Sequence, residues 1–94
     1  MEKVRAHVVV SGRVQGVCFR SYAEEEAYRN NVFGWIRNTA GGEVEAVYEG
    51  EKVDVGKMIE WSKRGSPSSR VDKVDVKWEP YTGEFEDFGI KYWR

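Results

Sequence analysis

Val4-Arg5-Ala6-His7-Val8-Val9-Val10-Ser11-Gly12-Arg13-Val14-Gln15-Gly16-Val17-Cys18-Phe19-Arg20 is the stretch on which the fold turns. Its first half alternates. Val4, Ala6, Val8 and Val10 take one side and Arg5, His7, Val9 and Ser11 the other, the period of two that marks a strand. Gly12 breaks the alternation, and a loop with a second glycine runs to Gly16. Beyond it the period lengthens. Phe19, Tyr22, Ala23 and Ala27 share one face of a helix over residues 19–30, opposite Glu24, Glu25 and Arg29. Asn31 suits a left-handed C-terminal cap, because asparagine tolerates that conformation better than most residues.

The remaining elements follow outward from this strand–loop–helix unit. Residues 33–38 read as a second strand and 43–49 as a third, with Thr39-Ala40-Gly41-Gly42 as the turn between them. Residues 53–64 form a second helix with Val55, Met58, Ile59 and Ser62 on one face. Gly56 costs that helix roughly 1 kcal/mol relative to alanine. Gly65-Ser66-Pro67-Ser68-Ser69 ends it. Val74, Val76 and Trp78 alternate with charged residues as a fourth strand, and Phe88, Ile90 and Tyr92 mark a short final one.

The order β-α-β-β-α-β plus a C-terminal strand interleaves two βαβ crossovers. It predicts an α+β, ferredoxin-like split βαβ sandwich, with two helices on one face of a mainly antiparallel sheet. No linker, repeat or low-complexity segment divides it, so residues 1–94 are expected to form one domain. The four tryptophans, Trp35, Trp61, Trp78 and Trp93, are expected mostly in the core or on a sheet face. Trp93 alone stays open, exposed or at a contact with another chain.

Composition narrows the function. The 94 residues are 40% hydrophobic and 33% charged, which reads as one core under a densely charged surface. The formal net charge is −1 and no basic run stands out, which argues against nucleic acid as a partner. One cysteine, Cys18, excludes an internal disulfide and any multi-cysteine metal site, and fits a reducing cytoplasm. No apolar run reaches the length of a signal peptide or a membrane span, so no membrane partner is expected.

The loop between the first strand and the first helix is where chemistry concentrates. Backbone N–H groups at a helix N-terminus lack intrahelical partners and the helix dipole is positive there. A glycine-bearing loop at that place can curl its amides around a tetrahedral anion, and Arg20 can add a planar fork of donors. An arginine in the first turn opposes the dipole and so wants a reason. The spacing equally allows a surface arginine beside an ordinary tight turn. The stretch is not a Walker A loop, since no Gly-Lys-Ser/Thr follows, nor a dinucleotide fingerprint, since its glycines are too far apart.

Other chemistries find no support. His7 is the only histidine and lies within the first strand, so no Ser–His–Asp or Cys–His relay can be drawn. Cysteine phosphatases wrap the anion with a longer loop between Cys and Arg, whereas only Phe19 separates Cys18 from Arg20. Cys18 therefore reads as a small apolar filler beneath the loop. The runs Glu24-Glu25-Glu26 and Glu84-Phe85-Glu86-Asp87 read as solvated faces, and neither zinc nor magnesium spacing is present. A phosphate monoester, with its poor alkoxide leaving group, normally needs a metal or a general acid. An acyl phosphate expels a carboxylate, so anion binding, a positioned water and electrostatics can suffice.

Two stretches carry a family resemblance. Val10-Ser11-Gly12-Arg13-Val14-Gln15-Gly16-Val17-Cys18-Phe19-Arg20 resembles the first signature of the acylphosphatases. Gly34-Trp35-Ile36-Arg37-Asn38-Thr39-Ala40-Gly41-Gly42-Glu43-Val44, closing at Gly50, resembles the second. Gly65-Ser66-Pro67 and Val71-Asp72-Lys73-Val74 resemble the stretch after the family's second helix. The resemblance implies a ferredoxin-like fold and metal- and cofactor-free hydrolysis of small acyl phosphates. It places the catalytic arginine on Arg20, which would bind the phosphoryl group, and the catalytic asparagine on Asn38, which would orient water. It places the cradle of backbone amides on Gln15, Gly16, Val17, Cys18, Phe19 and Arg20. Taken alone, an Asn before Thr-Ala-Gly-Gly is usually a turn former. The departures are Cys18, Ile36 and the pair Asn30-Asn31, which bear on packing and on the helix end.

Two rival readings come from other classes. An RNA-binding sheet would carry a basic-aromatic third strand, but this one reads Glu43-Val44-Glu45-Ala46-Val47-Tyr48-Glu49 and would repel phosphates. An inactive relative binding a phosphorylated ligand is the other, and the intact pair Arg20 and Asn38 argues against it. The substrate stays open among acetyl phosphate, 1,3-bisphosphoglycerate and carbamoyl phosphate. Inorganic phosphate or sulfate is expected to compete, and a monomer is the default.

Overall fold

The computed structural model describes residues 2–92. Strand β1 (Lys3–Arg13) leads through the glycine loop into helix α1 (Phe19–Arg29). β2 (Phe33–Asn38) and β3 (Val44–Glu51) form a hairpin. Helix α2 (Lys52–Arg64), β4 (Arg70–Glu79) and β5 (Phe88–Lys91) complete the chain. The sheet order is β4-β1-β3-β2-β5. β1 pairs antiparallel with β3 and β4, β2 antiparallel with β3, and β5 parallel with β2. Each crossover is thus split: β3 lies between β1 and β2, and β1 lies between β3 and β4. The ferredoxin-like expectation holds.

Register divides the residues between the two faces. Ala6, Val8 and Val10 of β1 pair with Tyr48, Ala46 and Val44 of β3, and Ile36 and Asn38 of β2 pair with Ala46 and Val44. This row faces the helices, and its apolar members are fully buried with Phe19, Ala23, Ala27, Val55 and Met58. Trp61 of α2 packs on Phe19 of α1, ring centroids 5.1 Å apart. Tyr48 is also in this core. Burial pushes its phenol up to about 12, partly offset by a hydrogen bond to Ser62. Ser62 gives its own proton to the Met58 carbonyl, so the Tyr48 hydroxyl is the donor at 2.7 Å.

The other face of the sheet carries charge in place of helices. His7, Glu45 and Arg37 meet there, with His7 Nε2 2.5 Å and Arg37 Nη2 2.6 Å from the two Glu45 carboxyl oxygens. Burial raises the Glu45 carboxyl, but the His7 and Arg37 contacts outweigh it and hold the group below its ordinary value. His7 therefore serves the sheet surface, on the opposite side of β1 from the helices.

Three expectations need correcting. Gly12 does not end the first strand. β1 continues to Arg13 through a bulge between Ser11 and Gly12, and Gly12 lies so close to the Arg70 carbonyl of β4 that no Cβ fits. β4 accordingly begins at Arg70, four residues earlier than the alternation of valines suggests. Tyr22 is 44% exposed, because the face of α1 that reaches the sheet is only as wide as Phe19, Ala23 and Ala27. Trp78 is 55% exposed because it lies on the edge strand β4, where it still takes the sheet-face position expected of it. Trp35 and Trp61 stand as expected, on the sheet face and in the core. Trp93 lies outside the described residues. Asn31 takes the expected left-handed conformation, φ 56°, and the Asn30 side chain closes the helix by donating to the Glu26 carbonyl.

Candidate active site

The chain leaves β1 at Arg13 and must turn sharply to enter α1. Val14 and Val17 do this from below, both buried in the core. Gly16 (φ 73°) and Cys18 (φ 60°) take left-handed conformations. For Cys18, a residue with a Cβ, that backbone costs free energy of order 1 kcal/mol. Cys18 is exposed at the head of α1, so the expectation of a buried filler is wrong. Val14 and Val17 are the fillers, and Cys18 sits at the rim.

The consequence is a loop whose amides are left without partners. The backbone N–H groups of residues 15–18 find no acceptor among the described residues. The first intrahelical bond comes from Tyr22 to the Cys18 carbonyl, so the first turn of α1 adds unpaired donors.

Asn38 approaches this loop across the sheet. It ends β2 opposite Val44, on the helix-facing side, and its Oδ1 is buried without a hydrogen-bond partner among the described residues. A buried amide oxygen left unpaired costs about 1–3 kcal/mol. The turn that follows is tightly made: Thr39 N–H donates to the Glu43 carbonyl at 2.8 Å, and Glu43 N–H to Thr39 Oγ1 at 3.1 Å. Gln15 ties the two halves together. Its side-chain amide donates to the carbonyls of both Thr39 and Glu43, each at 2.8 Å.

Between loop and strand end lies a cleft of about 300 Å³. Val14, Gly16, Cys18, Phe19, Arg20 and Ser21 line one wall; Asn38, Ile90 and Tyr92 line the other. Of the residues singled out in the sequence, Gly16, Cys18, Phe19, Arg20 and Asn38 meet here. Gln15 and Val17 stand behind the wall. Tyr92, Ile90 and Ser21 are additions. The Arg20 guanidinium lies over the Tyr92 ring, Cζ 4.9 Å from its centroid. No sequence signal links those two, since only the parallel pairing of β5 with β2 brings Tyr92 to the cleft. Among the described residues no carboxylate or imidazole lines it, and His7 is on the wrong face of the sheet to enter.

The chain can now be placed among known proteins. The family model described as acylphosphatase matches residues 6–90. The chain belongs to the acylphosphatase family. As a member it is a hydrolase of the carboxyl–phosphate bond of acyl phosphates. The acylphosphatase of Syntrophobacter fumaroxidans is 51% identical over 94 residues, which cover 100% of this chain and 97% of that one. That of Pyrobaculum islandicum is 54% identical over 91 residues, 96% of each chain. The crystal structure of acylphosphatase from Bacillus subtilis superposes with a TM-score of 0.91 at 34% identity, covering 95% of this chain and 99% of that one. No helix among the described residues is long and apolar enough to cross a membrane.

Proposed function

We propose that the cleft between Arg20 and Asn38 is where this acylphosphatase works, on small acyl phosphates and without a metal or cofactor. The amides of the loop, drawn from residues 15–20, and the Arg20 guanidinium hold the phosphoryl group. The Asn38 Oδ1 accepts a hydrogen bond from the attacking water and holds it in line with the bond to be broken. The new P–O bond forms from water as the P–O bond to the acyl oxygen breaks. The carboxylate leaves as an anion, and the water's proton passes to the phosphate oxygens.

The observation that carries this reading is Asn38, which lines the same cleft as the loop and whose buried Oδ1 has no hydrogen-bond partner among the described residues. One side offers hydrogen bonds to an anion, the other accepts one from water. No side-chain base lines the cleft among the described residues, which agrees with a substrate that takes up the proton itself. Inorganic phosphate and sulfate compete because both present a tetrahedral anion to the same donors. The enzyme is proposed to act as a monomer, and its single cysteine suits the cytoplasm.

The test is steady-state hydrolysis of benzoyl phosphate in EDTA by the wild type, Asn38→Ala and Arg20→Gln. Asn38→Ala should lower kcat by about a hundredfold or more while phosphate still inhibits. Arg20→Gln should weaken phosphate inhibition as well. An Asn38→Ala enzyme that keeps wild-type kcat would remove water positioning from that residue. Loss of wild-type activity in EDTA would end the metal-free reading.

A further inference from the structure

The amide cradle is only as good as the orientation of its peptide planes, and one of them is held from outside the loop. Ser66 lies in the connection between α2 and β4 and is 3% exposed. Its hydroxyl donates to the Val17 carbonyl at 2.8 Å across 49 residues of sequence, a buried hydrogen bond. Ser66 is itself fixed, since its carbonyl accepts from Ser69 N–H at 3.0 Å and Ser69 Oγ at 2.7 Å. Gly65, φ 78°, brings this connection against α1 and β4, because a Cβ there would press on the Phe19 ring and on Val71. The Val17–Cys18 peptide is planar and trans, so its C=O and N–H point in opposite directions. Holding the carbonyl down on Ser66 therefore turns the Cys18 N–H the other way, towards the cleft that Cys18 lines. The left-handed backbone of Cys18 makes the restraint necessary, because a peptide next to a strained residue relaxes by rotating if nothing holds it.

We propose that Ser66 is a positioning residue for catalysis: through the Val17 carbonyl it fixes the Cys18 amide as a donor to the substrate phosphoryl group. The inference rests on the reading of the loop as a phosphate cradle. It predicts a division of labour. Ser66 governs how tightly the phosphoryl group is held, whereas Asn38 governs how well water attacks it.

Two measurements test it. In Ser66→Ala, KM and the inhibition constant for inorganic phosphate should both rise about fivefold to tenfold, with a smaller change in kcat. In amide NMR spectra titrated with inorganic phosphate, the Cys18 N–H of the wild type should move downfield, and in Ser66→Ala it should move little. Ser66→Cys is nearly isosteric but a weak donor, and reads the same quantities should the alanine variant fail to fold. A wild-type Cys18 response in either folded variant overturns the role of Ser66. A wild type in which phosphate moves no amide of residues 15–20 overturns the cradle itself, a different result from the first.

Discussion

Two hollows of nearly equal size lie at opposite ends of β3, and they have opposite characters. One, about 300 Å³, opens beside Val44 and contains Asn38 and Arg20. The other, about 340 Å³, opens around Glu49, Gly50 and Glu51, with Lys3 and Asp54 on its rim. Glu49 is 1% exposed, yet its carboxylate is saturated. Thr82 N–H and Oγ1 donate to Oε2 at 2.9 Å each, Gly83 N–H donates to Oε1 at 3.1 Å, and Arg5 adds an ion pair at 3.2 Å. Asn38 is the reverse, its buried Oδ1 left without a partner among the described residues. Size does not mark the functional end of this sheet. Polar groups that close on one another hold the chain together, and those left open are available to a ligand.

The sharpest test of that contrast is at the satisfied end. Glu49 clamps the connection between β4 and β5, so Glu49→Ala strips the acceptor from three protein groups besides Arg5. The expected loss is about 3 kcal/mol in denaturant unfolding, with kcat per folded molecule unchanged. A loss of activity without a loss of stability would invert the comparison. Acid should do the same more gently. Burial would raise the Glu49 carboxyl, but the bonds from Thr82, then Arg5 and Gly83, outweigh it and hold the group below its ordinary value. A carboxyl lowered by folding stabilises above its unfolded pKa of about 4.3 and loses that contribution as pH falls through the folded value. Stability should therefore decline below about pH 4.5, and Glu49→Gln should flatten the decline.

These two ends were unequally legible in the sequence. The alternation from Val4 to Ser11 and the 3.6-residue period from Phe19 to Ala27 specify β1 and α1, because both are covered on one side only. The edge strand β4 hides its first residues, Arg70 to Lys73, since an exposed edge has no need of an apolar pattern. Arg20, Asn38 and the glycine loop stand out because a signature groups them. Glu49 does not, for an acid in a strand gives no sign that Thr82 and Gly83 will fold back onto it. Ser66 and Tyr92 stand in stretches that the sequence marks, but nothing there ties them to the loop, to which the α2–β4 connection and β5, both remote in sequence, bring them. Cys18 misled for a related reason: a small thiol between two apolar residues looks like core until the backbone turns left-handed beneath it.

The unsatisfied end makes the next prediction, smaller and of opposite sign. If the Asn38 Oδ1 is open at a cost to the fold, an apolar residue of similar size should relieve it. Asn38→Leu is expected to raise stability by about 1 kcal/mol while abolishing turnover. A variant less stable than the wild type would mean that Asn38 is a structural residue, and the contrast with Glu49 would fail.

The smallest expected effect is at Tyr92, and it asks how Arg20 is held ready without an anion. Among the described residues no carboxylate pairs with Arg20; the Tyr92 ring lies against the guanidinium instead. An acid there would hold Arg20 more strongly, but would compete with the incoming phosphoryl group for the same donors. A ring face offers a cation about 0.5–1 kcal/mol at an exposed site and leaves all the N–H groups free. Tyr92→Ala should therefore raise KM for benzoyl phosphate about twofold to fivefold with stability unchanged, and Tyr92→Phe should match the wild type. If phenylalanine proves as poor as alanine, the hydroxyl is what matters, and the ring is not the support. If neither variant differs from the wild type, Arg20 is placed by the first turn of α1 alone, and Tyr92 has no part in holding it.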